Sequence, residues 1–204
     1  MAVNREVGHK GARRTQAERS AATRAALLAA ARRLFAEKGY FATGREEVVE
    51  AAGVTRGALY HHFANKEDLF KAVFEEMEHE IVAHVAEAAM SAKGPLEQLA
   101  VGSQAYLDAA MDPAVQQVVL LDGPAVLSWE VRQGIAEACG LGLMREVLRE
   151  AMEAGHLEKK PVEPLAHVLL AGLHEAAMYV ARSPQPRKAR REVGGVVERI
   201  VGGL

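Results

Sequence analysis

The sequence predicts an all-α fold, and three observations support that prediction. Half of the 204 residues are hydrophobic, yet alanine is prominent among them and aromatic residues make up only 5%. Ala, Leu, Glu and Arg favour helices, and no run rich in Val, Ile and Thr alternates with the period of two that a strand requires. Glycines and capping residues divide the chain into segments of helical length.

Composition also narrows the class of protein. The single cysteine, Cys139, rules out a disulfide within the chain and is typical of a reducing compartment, so we expect a cytoplasmic protein. The N-terminal MAVNREVGHKGARRTQ lacks the apolar segment of a signal peptide. No stretch of about 18 residues is apolar and free of charge, so we expect no membrane span.

Charge is divided unevenly along the chain. Residues 1–66 contain twelve Lys and Arg against six Asp and Glu, a net charge of +6. Residues 67–204 contain thirteen against twenty-one, a net charge of −8. A basic segment on an acidic body is typical of a module that binds a polyanion, although a solvated basic surface without a partner has the same composition.

The N-terminal region predicts an arm followed by a capped helix. Residues 1–14 are polar and basic, and we interpret them as a disordered arm. Thr15 and Glu18 have the spacing of a capping box, in which each side chain bonds the other's backbone amide. The first helix should run from there to Lys38 and end at Gly39, a residue type that often follows the last turn.

A helix-turn-helix follows the first helix. The short helix REEVVEAA should start at Thr43 or Gly44 and end at Gly53. Thr55 can cap a third helix, RGALYHHF, and Asn65 can cap a long fourth one. Two short helices around a tight glycine turn, supported by helices on both sides, form a helix-turn-helix.

The third helix carries four bulky residues in a row, YHHF, at positions 60–63. Only every third or fourth position of a helix faces inward, so these four cannot all be buried. Leu59 and Phe63, four residues apart, predict the buried side. A cation, a glycine, a small apolar residue and polar-tipped rings on the other side suit a DNA major groove, unless the histidines pack against the protein body. That outer face consists of Arg56, Gly57, Ala58, Tyr60 and His61.

Residues 24–74 resemble the N-terminal domain of the TetR family of bacterial transcriptional regulators. The similarity runs for about fifty residues without a gap and includes LFAEKGY and AGVTRGALYHHFANKEDL. It implies an all-helical homodimer of about nine helices per subunit, with a DNA-binding domain at residues 15–66 and a ligand-binding and dimerisation domain at 67–204. It also implies a regulator, most often a repressor, that binds palindromic operator DNA and responds to a small molecule.

The same resemblance implies which residues meet the operator. Lys66, at a helix N-terminus, should bind a phosphate, as should Thr55 and Tyr60, and Arg56 is the candidate for a base edge. The chain departs from the family pattern at Gly44-Arg45, where Arg45 replaces a half-buried apolar residue and can add a phosphate contact. The matching positions are Thr43, Thr55, Arg56, Gly57, Tyr60, His61 and Lys66.

The remainder of the chain predicts further helices without a motif that specifies chemistry. Pro95 should begin a helix towards Met111, and two helices separated at Gly123-Pro124 should follow. Another helix should end at Gly155. These helices would form the body of the protein.

The last two helices, over residues 164–182 and 187–201, predict a subunit interface. The first is apolar nearly all round, so it should be buried on more than one side. Small residues in the second allow close helix approach, and the pair could form half of an intersubunit four-helix bundle or an intramolecular hairpin. The interface candidates are Leu165, Leu169, Gly172, Ala176, Val193, Val197 and Ile200.

A ligand pocket is predicted less specifically, from adaptable or polar-tipped residues among Leu, Val and Ala. Methionines and aromatic residues suit apolar ligands of varied shape, although each of these residues could instead simply fill the hydrophobic core. His174 and Glu175, within an otherwise apolar helix, are the best polar candidates for orienting a ligand. The full candidate set is Tyr106, Met111, Trp129, Met144, His167, His174 and Met178.

Other functions find little support in the sequence. It contains no G-x-S-x-G elbow, no P-loop, no G-x-G-x-x-G and no H-E-x-x-H, so we expect neither an enzyme nor a cofactor or metal site. A DNA-binding dimer that needs no ligand is the remaining alternative. The motifs in the sequence do not specify the operator, the effector, the regulated genes or the direction of regulation.

Overall fold

The computed structural model describes residues 15–204, so the basic arm predicted at 1–14 lies outside the described residues. Helices account for all the regular structure of this part of the chain, which confirms the all-α prediction. Residues 15–204 form ten helical units, compared with the predicted nine or so, if α6, the π-helix and α7, which follow one another without a loop, count as one. The elements are α1 (Gln16–Ala42), α2 (Arg45–Ala52), α3 (Arg56–His62), α4 (Lys66–Ala89), α5 (Pro95–Ala109), α6 (Pro113–Val115), a π-helix (Gln116–Asp122), α7 (Gly123–Val126), α8 (Trp129–Ala138), α9 (Gly140–Glu153), α10 (Val162–Arg182) and α11 (Pro186–Gly202).

Helix α1 begins as predicted but does not end where expected. The Thr15 hydroxyl accepts a hydrogen bond from the Glu18 amide at 3.2 Å, and the Glu18 carboxylate accepts one from the Thr15 amide at 2.7 Å. Gly39 interrupts the helix with φ 78° and ψ 165°, and one further turn continues to Ala42. Gly39 is therefore a break within α1, in a backbone region that is essentially restricted to glycine.

The helix-turn-helix forms from the predicted caps. Gly53 ends α2 with φ 64°, the Thr55 hydroxyl accepts from the Ala58 amide at 3.2 Å, and the Asn65 side chain accepts from the Asp68 amide at 2.8 Å. Leu59 and Phe63 are buried with Val48 in the core shared with α1 and α4. These contacts fix the orientation of α3 on the rest of the domain. The aromatic rings that join α1 to α4 are Phe35, Tyr40 and Phe70.

The helical body is assembled around α4 and α5. Helix α5 packs along α4, α9 and α11, and α10 packs on α9 and α11. The Arg190 guanidinium holds α11 against α5 by donating to Asp108 Oδ1 at 2.8 Å and to Gln104 Oε1 at 2.9 Å. In the part of the chain that the structure describes, no helix has both the length and the hydropathy to cross a membrane.

The predicted break at Gly123-Pro124 is wrong. The π-helix continues directly into α7, whose first turn contains both residues, and the chain turns instead at Leu127 and Ser128, where the Ser128 hydroxyl caps α8. Gly123 is required for packing, since a Cβ atom would lie 2.5 Å from Phe74 Cε2.

Candidate DNA-binding surface and effector cavity

Helix α3 presents the predicted outer face to solvent. Arg56, Gly57 and His61 are exposed, and Tyr60 is 41% exposed, whereas Leu59 is buried beneath them. The prediction that the bulky residues of α3 divide between two sides is confirmed. This outer face holds donors, acceptors and a positive charge at the end of the molecule formed by α1 to α3.

Two guanidinium groups flank the ring of Tyr60. Arg45 Cζ lies 5.3 Å from the ring centroid and Arg56 Cζ lies 5.8 Å from it. Arg45, which departs from the family pattern, therefore rests on an aromatic ring beside α3 instead of entering the core. Arg56 also pairs with Glu46 at 3.2 Å, but an exposed pair of this kind contributes little and can yield to a phosphate or a base.

The two histidines of α3 differ in their surroundings. His61 is exposed, while His62 is half-buried and stacks edge-on against it, with ring centroids 5.1 Å apart. Burial lowers the pKa of His62, and the nearby His61 and Arg24 lower it further. Packing against the protein, the alternative raised for both histidines, thus applies in part to His62 and not to His61.

The prediction that Thr43 contacts DNA is wrong in this structure. Its side chain is 2% exposed, and its hydroxyl bonds the carbonyl of Gly39 at 2.8 Å, with that of Leu34 at 3.2 Å. Its amide donates to the Tyr40 carbonyl at 3.2 Å. Thr43 has no donor left for a phosphate, because it closes the break in α1 that Gly39 opens.

Residues 39–43, here called the 39–43 turn, are held by two other elements. Lys66 Nζ, on the first residue of α4, donates to the carbonyls of Tyr40 at 2.7 Å and Thr43 at 2.8 Å. From the π-helix, the buried Asp122 carboxylate accepts the Tyr40 amide hydrogen at 2.7 Å. Burial lowers the pKa of Lys66, as does Arg45. The structure thus gives Lys66 a bracing role in addition to the phosphate contact that the sequence predicts for it.

A cavity of about 360 Å³ lies in the body, between α4, α5, the π-helix and α7 to α10. Five of the seven predicted ligand residues line it: Tyr106, Trp129, Met144, His167 and His174. The prediction is wrong for Met111 and Met178, because neither lines the cavity. Met178 is buried in the core one turn beyond His174, and Met111 lies in the turn after α5.

The charged side chains that line the cavity were not predicted from the sequence. Glu78 of α4 and Arg132 of α8 both line it. Burial raises the pKa of Glu78 to about 7, and burial together with Glu78 raises the pKa of Tyr106. Burial and Arg132 lower the pKa of His174, against a smaller opposite effect of Glu175. The spacing of Phe74, Glu78, Ile81 and Val85 on one helical face was the available signal.

A second, more apolar feature is a groove of about 630 Å³ along α10 and α11. Of the seven predicted interface residues, only Leu165 lies outside the groove; it packs on the core instead. Of the four most exposed apolar side chains of this face, the predicted interface set includes Ile200 and omits Val168, Tyr179 and Val196. The residues that line both the groove and the cavity are Leu99, Ser103, Met144 and Leu173.

Comparison with known proteins identifies the family. Residues 27–73 match the profile described as bacterial regulatory proteins, tetR family. Residues 96–204, more than half of the chain, match the profile described as tetracyclin repressor-like, C-terminal domain. The chain belongs to the TetR family. It is therefore a DNA-binding transcriptional regulator and not an enzyme.

Individual transcriptional regulators are similar to this chain over most of its length. The transcriptional activator FasR of Mycolicibacterium smegmatis is 26% identical over 89% of this chain and 82% of its own. A TetR-family regulator from Pectobacterium atrosepticum is 30% identical, with a TM-score of 0.80 over 94% of this chain and 97% of its own. FadR of Bacillus subtilis, solved with stearoyl-CoA, shares the fold at a TM-score of 0.74 and 23% identity, over 88% of this chain and 98% of its own.

One charged cluster on this TetR body has the composition of a metal site. Ligand atoms of Glu137, Glu163 and His167 lie within 4.8 Å of one another. Arg145 Nη2 stands among them, 2.6 Å from Glu137 Oε2 and 2.8 Å from Glu163 Oε1. The guanidinium supplies the positive charge that a metal would bring, so the cluster is an ion-pair network that joins α8, α9 and α10.

Proposed function

We propose that this TetR-family protein is a repressor that binds a palindromic operator as a homodimer and is released by a small, largely apolar effector. The observation that carries the proposal is the course of α4. Its first residue, Lys66, braces the DNA-binding domain, and its middle turns, from Phe74 to Val85, line the cavity. A ligand that moves α4 therefore acts on the DNA-binding domain without touching DNA.

The DNA-binding role divides between positioning and base recognition. Arg56, exposed at the start of α3, reads a base edge, and Gly57 beside it allows the helix to approach the groove closely. Tyr60, Thr55 and Arg45 bind phosphates and set the register of the helix. Ala58, His61 and Lys66 complete the proposed contact surface. The domain that carries these contacts comprises residues 15–66.

The proposed dimer forms through the apolar face of α10 and α11. Val168, Tyr179, Val196 and Ile200 are exposed there in one subunit, and a second copy of the same face would bury them in a four-helix bundle. A two-fold axis through this bundle sets two α3 helices at half-sites about 34–36 Å apart. Effector binding loosens the complex by changing that spacing.

The relatives support the effector-response part of this proposal and leave the sign of regulation to experiment. FadR, with the same fold, was solved with stearoyl-CoA, and the name of FasR describes an activator. We propose repression because the ligand-free protein would occupy its operator and block transcription. The effector would restore transcription by releasing the protein from DNA. In a reporter strain, deletion of the gene should raise transcription; a fall would assign the activating role instead.

The DNA-binding proposal is tested by selecting operators from a random DNA pool and measuring affinities by fluorescence anisotropy. Arg56→Ala should cost about 1–3 kcal/mol on the selected operator and relax the preference at one base position. Tyr60→Ala should weaken binding to all sequences alike. The matched control is Arg149→Ala, an exposed arginine on α9, which should change neither quantity. An Arg56→Ala protein with unchanged base preference would contradict the assignment.

A further inference from the structure

We propose that the effector is a cationic amphiphile, an apolar molecule whose protonated amine pairs with Glu78 inside the cavity. This inference rests on the proposed function only in taking the cavity to be the effector site. It adds the chemical class of the ligand and the residue that selects it. Three features support this inference: the position of Glu78, the groups around it and the position of Arg132 in the cavity.

Glu78 lacks the partners that two other glutamates of α4, Glu75 and Glu80, have. Glu80 receives two hydrogen bonds from Arg32, at 2.5 and 2.6 Å, and Glu75 lies 3.5 Å from Lys71 Nζ. Within residues 15–204, Glu78 makes no hydrogen bond or ion pair, although it lines the cavity. A carboxylate that faces a largely apolar cavity without a protein partner is costly to ionise, so a positive charge placed beside it gains an unusually favourable interaction.

The walls around Glu78 determine the rest of the ligand. Ile81, Val85, Leu99, Leu170 and Leu173 are among the apolar side chains of the cavity. Its volume of about 360 Å³ lies at the lower end of the range for drug-sized ligands. The ligand is therefore a compact apolar skeleton with one charged end, not a highly polar molecule.

Among the described residues, Arg132 is the one arginine that lines the cavity, and it belongs to α8, whereas Glu78 belongs to α4. Arg132 follows the exposed Trp129 by one turn of α8, and its Nε donates to the Leu127 carbonyl at 3.3 Å. Neighbouring His174 has its pKa lowered by burial and by Arg132, so it adds little positive charge at neutral pH. The amine end of the ligand thus faces Glu78, and its apolar end faces the Trp129 side.

Three ten-carbon probes test the ligand class on the full-length protein. Decylammonium, decanol and decanoate, each below its solubility limit and any micelle-forming concentration, are titrated at pH 8 by calorimetry and by thermal shift. The ammonium probe should bind the wild type most tightly. Glu78→Gln should weaken that binding more than about tenfold, the loss expected of a hydrogen bond or contact to a charged group, and leave decanol binding within about twofold.

Two control variants make the result decisive. Glu76→Gln, an exposed glutamate on the same helix, should leave all three affinities unchanged. Arg132→Gln should not abolish binding of the ammonium probe. Tightest binding of decanoate, with its loss in Arg132→Gln, would overturn the proposal, and so would an ammonium affinity that Glu78→Gln leaves intact. The ranking of probes on the wild type holds even if a variant fails to fold.

The failure of this inference can be separated from failure of the proposed function. Release of operator DNA is measured in the same titrations by anisotropy. If the ammonium probe binds through Glu78 without releasing DNA, the ligand class stands and the effector mechanism fails. If a different compound releases DNA while the ammonium probe does not bind, the mechanism stands and the ligand class fails.

Discussion

At the scale of single residues, the cavity-facing carboxyl of Glu78, which its surroundings desolvate, makes the stability of the protein depend on pH. Its folded pKa of about 7 lies above the usual 4.5, so the folded state holds its proton more tightly than the unfolded chain does. The resulting stability is fully present below pH 4.5 and is lost as pH rises through 7. The wild type should lose roughly 2–3 kcal/mol relative to Glu78→Gln between pH 5 and pH 8.

Urea denaturation at fixed protein concentration measures this difference. Glu76→Gln is the matched control, because it removes an exposed carboxyl from the same helix that does not line the cavity. Equal stability differences between Glu78→Gln and the wild type at pH 5 and pH 8 would show that the carboxyl is not desolvated in the folded protein.

Two glycines with positive φ allow backbone strain to be separated from crowding. At Gly39 a Cβ atom would lie 3.0 Å from Gln117 Nε2, and the ψ of 165° is nearly exclusive to glycine. Gly53, at φ 64°, has open space around its Cβ position. Gly53→Ala should cost about 1–2 kcal/mol, and Gly39→Ala should cost more. Thermal melts compare them; equal costs would mean that neither the ψ of Gly39 nor the contact with Gln117 adds to the cost.

At the scale of elements, the π-helix joins the cavity to the DNA-binding domain. Val119 lines the cavity and Asp122, less than one turn later, accepts the Tyr40 amide hydrogen. Asp122→Ala should leave that amide unpaired, cost about 1–3 kcal/mol and speed hydrogen exchange in the 39–43 turn. Asp122→Asn keeps an acceptor oxygen and should preserve most of the protection. Unchanged exchange at Tyr40 in Asp122→Ala would rule out the link.

Local signals were sufficient to predict most helix boundaries but not the contacts between elements. Thr15, Thr55 and Asn65 cap helices as predicted because a cap depends on neighbouring residues alone. The family resemblance places Thr43 at the DNA. Nothing in the local sequence reveals that the break at Gly39 turns the Thr43 hydroxyl inward. These errors lie where distant parts of the chain meet.

The π-helix and the cavity charges were unpredictable for the same reason. The i→i+5 pattern has no recognised sequence signature, so LLDGP was interpreted as a helix break. The acidic run around Glu78 resembles a solvated face, and only the packing of α5 and α8 to α10 over α4 encloses it. The outer face of α3 was predictable because four bulky residues in a row restrict its orientation strongly.

At the scale of the whole molecule, the apolar face of α10 and α11 predicts the oligomeric state. Val168 is 68% exposed in the single subunit, so Val168→Glu should leave the fold intact and prevent burial of that face by a second copy. Sedimentation should show a monomer, and the affinity for the operator should be much weaker. Met90→Glu is the control, because Met90 is 82% exposed but lies outside the groove. A Val168→Glu protein that remains dimeric would place the interface elsewhere.

Leu99, Ser103, Met144 and Leu173 each border the cavity on one side and the groove on the other. The partition between the two spaces is therefore only one side chain thick. A substitution that trims it to admit a bulkier compound also reshapes the surface that the proposed dimer would bury. Under the proposed function, the range of compounds detected and the strength of assembly are therefore coupled, and evolution or engineering of one alters the other.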